Sequence, residues 1–118
     1  MDEWEVRQRR ALEKWVEVGG IRYKIRRPRD LEMRHLLAQS KDIGEDLAMQ
    51  FVVDWEVTEA TLLPGIGGDA AVPFSAGAYR EFIADRLPDL AALSNLIWDE
   101  YQAFRTAKES IAGKSGSS

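Results

Sequence analysis

The sequence predicts a small, mainly α-helical domain of the α+β class, in which an N-terminal β-hairpin packs on a bundle of about four helices and the last helix is long. Two adjacent glycines between β-prone runs, in WVEVGGIRYKI, predict the hairpin. Apolar residues at helical spacing recur in several later segments and predict the helices. The length of 118 residues, 45% of them hydrophobic, suits one domain with a modest core.

Composition narrows the class of protein. The absence of cysteine excludes disulfides and thiolate metal sites. No apolar run approaches ~18 residues and the charged N-terminus lacks an apolar signal-peptide core, so we expect a cytoplasmic protein without a membrane partner. Residues 1–40 hold ten Lys/Arg and seven Asp/Glu, a net +3, whereas residues 41–118 hold six and thirteen, a net −7. This asymmetry either favours head-to-tail self-association and partner steering or is a solvated surface of mixed charge.

Three segments are predicted to differ in order. Residues 1–13 are rich in helix formers but poor in apolar side chains, which indicates an N-terminal helical arm. Trp4 on this arm either anchors a partner or packs back on the domain. Residues 14–111 form the folded domain. The polar run GKSGSS indicates that residues 112–118 form a disordered tail.

The hairpin prediction includes a register. A two-residue turn at Gly19-Gly20 pairs Val18 with Ile21 and Val16 with Tyr23. The predicted apolar face consists of Val16, Val18, Ile21, Tyr23 and Ile25. The predicted outer face consists of Trp15, Glu17, Arg22, Lys24 and Arg26. Because an isolated hairpin is marginally stable in water, the apolar face is expected to lie on helices.

Basic residues end the second strand, at Arg26, Arg27 and Arg29. Such a cluster can contact phosphates, which makes a DNA-binding adaptor one alternative function. The cluster is short, has no interleaved aromatic residue beyond Tyr23, and belongs to an acidic protein. We therefore expect no nucleic acid partner.

Two helices are predicted next. Asp30 is the expected N-cap of a helix over residues 31–40, and the single histidine, His35, has no ligand or base partner at helical spacing. Asp42 starts the second helix, in which Ile43, Leu47, Phe51 and Trp55 recur every four residues and extend it to about residue 57. The acids of its first turn, Asp42, Glu45 and Asp46, are explained by the helix dipole without a metal.

A flexible turn separates these helices from the last two. Pro64, Gly65, Gly67 and Gly68 mark the turn, and the flanking VTEATLLP and AAVPF predict a short second hairpin around it. PGIGGD lacks the Lys-Ser/Thr that follows the glycines of a phosphate-binding loop. No nucleotide or other cofactor is therefore expected.

The last two helices have clear apolar stripes. Ser75 is the expected N-cap of residues 76–87, which Pro88 ends. The stripe of that helix consists of Tyr79, Phe82, Ile83 and Leu87. The final helix has a stripe of Leu90, Leu93, Leu96, Ile97, Tyr101, Phe104 and Ala107. A helix this long is expected to project past a small core and offer its outer half to a partner.

The order of these motifs resembles the tail assembly chaperones of long-tailed bacteriophages and prophages, over roughly residues 14–109. The family often shows an aliphatic-x-Trp-x-Gly/Val segment, a Gly turn, a "pFs" helix start and a Y-x-x-F-like helix. The matching residues are Val53, Trp55, Val57, Gly67, Gly68, Pro73, Phe74, Ser75, Tyr101 and Phe104. The chain departs from the family in having Val57 where Gly is common and a long turn over residues 58–72.

The resemblance implies a non-enzymatic function. Such proteins bind the tape measure protein in the host cytoplasm and give way as tail tube subunits assemble, so they are not expected in the mature virion. Further candidate partners are the tail tube protein and a second copy of the chain. The expected contact residues are Trp98, Tyr101, Phe104 and Arg105 on the last helix and Gly67 and Gly68 in the turn. For each aromatic residue, the alternative is a position in the core.

Other functions remain as alternatives. A small phage structural protein, at the head–tail junction or in tail completion, would be found in purified virions. An enzyme is not expected, because the sequence has no cysteine and no motif that pairs a nucleophile with a base. We therefore predict no catalytic residue, no metal ligand and no cofactor.

Overall fold

The structure, a computed structural model, describes the backbone of residues 1–116 and the side chains of residues 1–111. In this part of the chain, six helices pack with one three-stranded antiparallel sheet, which confirms the predicted small α+β class. The helices are α1 (Glu3–Ala11), α2 (Asp30–Gln39), α3 (Ile43–Gln50), α4 (Glu59–Leu62), α5 (Ala76–Ile83) and α6 (Leu87–Gly116). The strands β1 (Glu13–Val18), β2 (Ile21–Arg26) and β3 (Val52–Glu56) lie in the order β1-β2-β3.

The hairpin has the predicted register. Val18 pairs with Ile21 and Val16 with Tyr23, around a turn in which Gly19 and Gly20 have φ of 60° and 80°. Glycine has no Cβ and adopts positive φ angles without steric cost, so the Gly-Gly pair favours this turn. On the outer face, the Lys24 ammonium lies 5.7 Å from the centroid of the Trp15 ring, as their pairing predicts, and the Arg22 guanidinium lies 5.0 Å from it.

The predicted helix from residue 42 to 57 is wrong in its second half. Asp42 caps α3 as expected, by accepting a hydrogen bond from the Glu45 N–H at 3.0 Å, but the helix ends at Gln50. The chain then forms β3, where Trp55 pairs with Tyr23 across the sheet. Residues 52–57, VVDWEV, are rich in β-branched and aromatic side chains, which favour a strand once β2 offers a free edge.

The predicted second hairpin is also wrong. Residues 59–62 form the short helix α4, and the flanking segments meet through a single bridge between Thr58 and Ala71. Backbone hydrogen bonds from the Glu59 N–H to the Ala70 carbonyl and from the Val72 N–H to the Val57 carbonyl close the base of the loop. The loop therefore satisfies its backbone locally without two paired strands.

Helix boundaries differ slightly from those predicted. Ser75 caps α5, since its side chain accepts from the Ala78 N–H at 3.1 Å, but α5 ends at Ile83. A three-residue corner follows, and Pro88 lies in the first turn of α6, where it needs no N–H partner. Leu87 consequently leaves the α5 stripe and is 65% exposed. At α2, the N-cap is Arg29 and Asp30 is the first helical residue.

An aromatic cluster forms the centre of the core. The Trp55 ring makes edge contacts with Phe74 and Tyr79 at centroid distances of 5.4 and 6.3 Å, and its Nε1 donates to the Val72 carbonyl at 2.9 Å. The Tyr79 hydroxyl donates to the Ala48 carbonyl at 2.8 Å. Tyr23 is fully buried, its hydroxyl has no partner among the described residues, and burial raises its pKa to about 12.

The molecule is elongated, with extents of 64 × 35 × 24 Å. Helix α6 packs chiefly on α3 and buries Leu93, Ile97 and Tyr101. Helix α1 buries no residue and leaves Trp4 66% exposed, as expected of an arm. The backbone of α6 continues to Gly116, so residues 112–116 of the predicted disordered tail are helical. Residues 117–118 lie outside the described part of the chain. No helix among the described residues is both long and apolar enough to cross a membrane.

Candidate partner-binding surface

The predicted contact residues of the last helix form a row of aromatic rings on α6. Ring centroids are 6.1 Å apart for Trp98 and Tyr101 and 6.4 Å apart for Tyr101 and Phe104. The three residues differ in exposure: Trp98 is 37% exposed, Phe104 is half-buried and Tyr101 is buried. Trp98 is therefore the member of the row best placed to meet a partner.

Side chains from α2, α6 and the β2–α2 connection cover the outer part of this row. The Arg27 guanidinium lies 3.6 Å from the centroid of Phe104. The Tyr101 hydroxyl donates to the Asp30 carboxylate at 2.9 Å, and the Lys108 ammonium donates to the same carboxylate at 2.7 Å. The hydrogen bonds from Lys108 and then Tyr101 lower the pKa of Asp30. Tyr101 and Phe104 thus hold α6 against the domain.

The fourth predicted residue on α6 lies at the edge of the row. Arg105 is exposed and forms an ion pair with Glu109 one turn further on, with 3.7 Å between Nη2 and Oε1. Its guanidinium is 6.0 Å from the centroid of Tyr101. An exposed pair of this kind contributes little to stability, so Arg105 is free to exchange partners.

The two predicted glycines of the turn have different surroundings. A Cβ on Gly67 would clash with the Glu59 carbonyl oxygen, so the loop closes tightly over the start of α4. A Cβ on Gly68 would meet only the Glu59 carboxylate, at 3.4 Å. Gly67 is thus a packing residue, and a partner at this loop would instead meet Leu63 and Ile66, which are 53% and 84% exposed.

Two open grooves flank the corner between α5 and α6, and neither was predicted from the sequence. The α3–α6 groove has a volume of about 540 Å³. Its lining consists of Asp42, Gly44, Glu45, Met49, Ala84, Leu87, Leu90, Ala91, Ser94 and Asn95. A Cβ on Gly44 would lie 3.3 Å from the Ser94 hydroxyl, so small residues let the two helices approach closely at the floor.

The α4–α5 groove lies on the other side of the same corner. It has a volume of about 480 Å³. Its lining consists of Thr61, Leu62, Leu63, Pro64, Ala78, Glu81, Phe82, Asp85 and Arg86. We call the two together the corner grooves. The sequence signal for them was the Leu87-Pro88 pair, which indicated a corner but not the open surface beside it.

The charge on the corner grooves is negative. Asp42 and Glu45 line the α3–α6 groove, Glu81 and Asp85 line the α4–α5 groove, and none of the four forms an ion pair within the described part of the chain. Arg86 is the basic lining residue, and it donates to the Asp89 carboxylate and to the Gly19 carbonyl. Its charge is therefore already compensated.

Three arginines of β2 and the β2–α2 connection, by contrast, have partners within the chain. Arg22 pairs with Glu56 at 3.0 Å, and Arg26 makes two hydrogen bonds of 2.8 Å with Glu32. The Arg26 hydrogen bond is the main cause of the lowered pKa of Glu32. The Arg27 guanidinium stacks on Phe104, so these three guanidinium groups are all engaged within the chain. His35 is exposed on α2, and no three potential metal-ligating residues cluster among those described.

Comparison with protein-family models, curated protein sequences and solved structures finds no match for the chain.

Proposed function

We propose that the chain is a tail assembly chaperone of a long-tailed bacteriophage, which binds the tape measure protein and keeps it soluble until tail tube subunits assemble around it. The choice of the tail assembly chaperone family rests on the sequence resemblance. The structural observation that supports it is the corner, where Leu63 and Leu87 line two largely apolar grooves although each is more than half exposed. Ile66, three residues after Leu63, is also exposed. Exposed apolar patches on a small acidic protein are typical of surfaces that bind other proteins.

The mechanism follows from how apolar grooves bind helices. A tape measure protein is expected to be long, helical and prone to aggregate through apolar stripes. A groove between two helices can bind such a stripe, because the apolar surfaces of the groove and of the client helix then pack on each other and leave water. Trp98 lies about 16 Å along α6 from Leu87, at about 1.5 Å per residue, and can contact the next turns of the same client helix.

Release by tail tube subunits requires modest affinity at each site. Open grooves of this size bury only part of a helix, so each copy is expected to dissociate readily. Many copies along a long client would together give high avidity. The net charge of −4 keeps the coated client soluble through mutual repulsion.

Co-expression with the phage's own tape measure protein tests the proposal. We expect the soluble fraction of the client to rise and the two proteins to co-purify. The triple variant Leu63→Ser, Ile66→Ser, Leu87→Ser should abolish both effects while the circular dichroism spectrum stays unchanged. The matched control is Leu37→Ser, since Leu37 is 59% exposed on α2, away from the corner.

Two results would contradict the proposal. One is a client that stays insoluble with the wild-type chain. The other is finding the chain in purified virions in stoichiometric amount by mass spectrometry, which would identify a structural subunit instead. The proposed chaperone acts in the host cytoplasm and leaves before the particle is complete.

A further inference from the structure

Building on the proposed function, we infer that the corner grooves dock an amphipathic helix whose apolar stripe is bordered by lysine or arginine side chains. The apolar floor and the charge of the rim carry this inference independently of the family resemblance. Together they define the chemistry of the client segment, which the resemblance does not.

The floor sets the shape and polarity of the occupant. In the α3–α6 groove, Met49, Leu87, Leu90 and Ala91 line the space between two helices that approach closely over Gly44. This is the position that a third helix takes in a bundle, with its apolar stripe facing the groove between the other two. A helix of about 10 Å diameter seated there would cover Leu87, which the chain itself leaves exposed.

The rim sets the charge of the occupant. Asp42, Glu45, Glu81 and Asp85 surround the grooves without an ion-pair partner among the described residues. Some acidic groups elsewhere have such partners, including Glu32 with Arg26, Asp30 with Lys108 and Asp89 with Arg86; what sets the four rim groups apart is their position beside the apolar grooves. Because unpaired rim charges steer encounter and select partners of opposite sign, basic residues on either side of the stripe complement this rim.

The same charges argue against two other occupants. Nucleic acid would be repelled by the four rim carboxylates. The arm of a second copy offers Trp4 and basic residues in its last turn, but it also has the acidic N-cap Asp2 and first-turn Glu3 and Glu5, which the rim carboxylates would repel. A foreign helix with basic residues along its whole length fits better than either.

Two synthetic peptides test the inference directly. Both carry the same Leu/Ala helical stripe and a fluorescein label, and they differ only in having Lys or Glu at the flanking positions. Fluorescence anisotropy at low salt should give at least about tenfold tighter binding of the Lys peptide to the full chain, and the difference should shrink as salt is added. Equal affinities, tighter binding of the Glu peptide, or no binding of either would overturn the inference.

Variants place the peptide at the grooves. Glu45→Lys and Asp85→Lys should each weaken binding of the Lys peptide several-fold, whereas Glu5→Lys, the same charge change on the distant arm, should leave it nearly unchanged. Leu87→Ser should weaken both peptides and Leu37→Ser neither. If Glu5→Lys weakens binding as much as Glu45→Lys, the effect is one of net charge and the site assignment is wrong.

The test separates this inference from the chaperone function. If the Lys peptide binds at the corner while the tape measure protein stays insoluble, the docking site stands and the chaperone function fails. If the client is solubilised but Glu45→Lys and Asp85→Lys have no effect on its yield, the function stands and the docking site fails. Light scattering that shows concentration-dependent self-association lost in these variants would assign the grooves to a second copy and overturn the inference.

Discussion

The outer half of α6 and the corner at its start carry similar apolar side chains but differ in what covers them. Around Tyr101 and Phe104, the chain supplies its own cover through Arg27, Asp30 and Lys108. Around Leu87, no side chain of the described part closes the grooves. An apolar stripe in the sequence therefore predicts that its surface is covered. Only the fold shows whether side chains of the same chain cover it.

This comparison changes the expected contact surface. From the sequence, the contact surface is expected on the outer part of the last helix, on Trp98, Tyr101, Phe104 and Arg105. In the structure, two of the three aromatic residues hold the helix to the domain, and Trp98 remains exposed. The corner, which lies at the start of α6, provides the larger apolar surface.

Replacing the buried Tyr101 and the exposed Trp98 in turn tests whether the two residues contribute differently to stability. Tyr101→Ala removes a buried ring and leaves Asp30 without one hydrogen bond, so we expect a loss of about 3–4 kcal/mol in the free energy of unfolding. Trp98→Ala should lose about 1 kcal/mol or less. Urea denaturation followed by circular dichroism measures both. Equal losses would mean that Trp98 is as much a core residue as Tyr101.

The loop that contains Gly67 and Gly68 is tightly packed at the first glycine and open at the second. Substituting each glycine tests this difference. Gly67→Ala places a methyl group against the Glu59 carbonyl and should lose about 2 kcal/mol through overpacking. Gly68→Ala meets only a movable carboxylate and should stay within about 0.5 kcal/mol of wild type. The same urea titration compares them. A Gly67→Ala chain as stable as wild type would show that the loop is loosely packed.

The smallest expected effect concerns the ion pair between Arg26 and Glu32. The pair lowers the pKa of Glu32 below its ordinary value of 4.5, so its stabilisation is complete above that pH and is lost as the pH falls through the lowered pKa. Glu32→Gln should therefore be less stable than wild type by about 1 kcal/mol at pH 7, since the pair is partly exposed to water. The difference should shrink as the pH falls below the ordinary value of 4.5 and Glu32 takes up its proton.

Thermal unfolding of wild type and Glu32→Gln at several pH values measures this difference. A difference for Glu32→Gln that is constant from pH 7 to pH 2 would exclude the ion pair as its cause.

Local rules predicted much of the fold. The positive φ of two adjacent glycines gave the hairpin turn and its register, and short polar side chains at Asp42 and Ser75 gave two helix starts. These features depend on residues within four positions of one another. Sequence reasoning succeeds there because the physical cause is local.

The errors arose where a distant segment decides the structure. Phe51 and Trp55 lie four residues apart and are both buried, as in a helical stripe, but residue 55 reaches the core from a strand because β2 provides an unpaired edge. The cover over Phe104 depends on Arg27, and the openness at Leu87 depends on where α5 ends. Spacing along the chain contains none of this information.

The contact of Arg86 with the Gly19 carbonyl, at 3.1 Å, has a consequence for the order of folding. It joins positions 67 residues apart, whereas the β1–β2 hairpin closes across two glycines. Because loop closure becomes less favourable with separation, we expect the hairpin to form early and the corner to dock onto it last. A chain still emerging from the ribosome would then have its sheet turn but not the corner grooves, which would be complete only after α6 has docked.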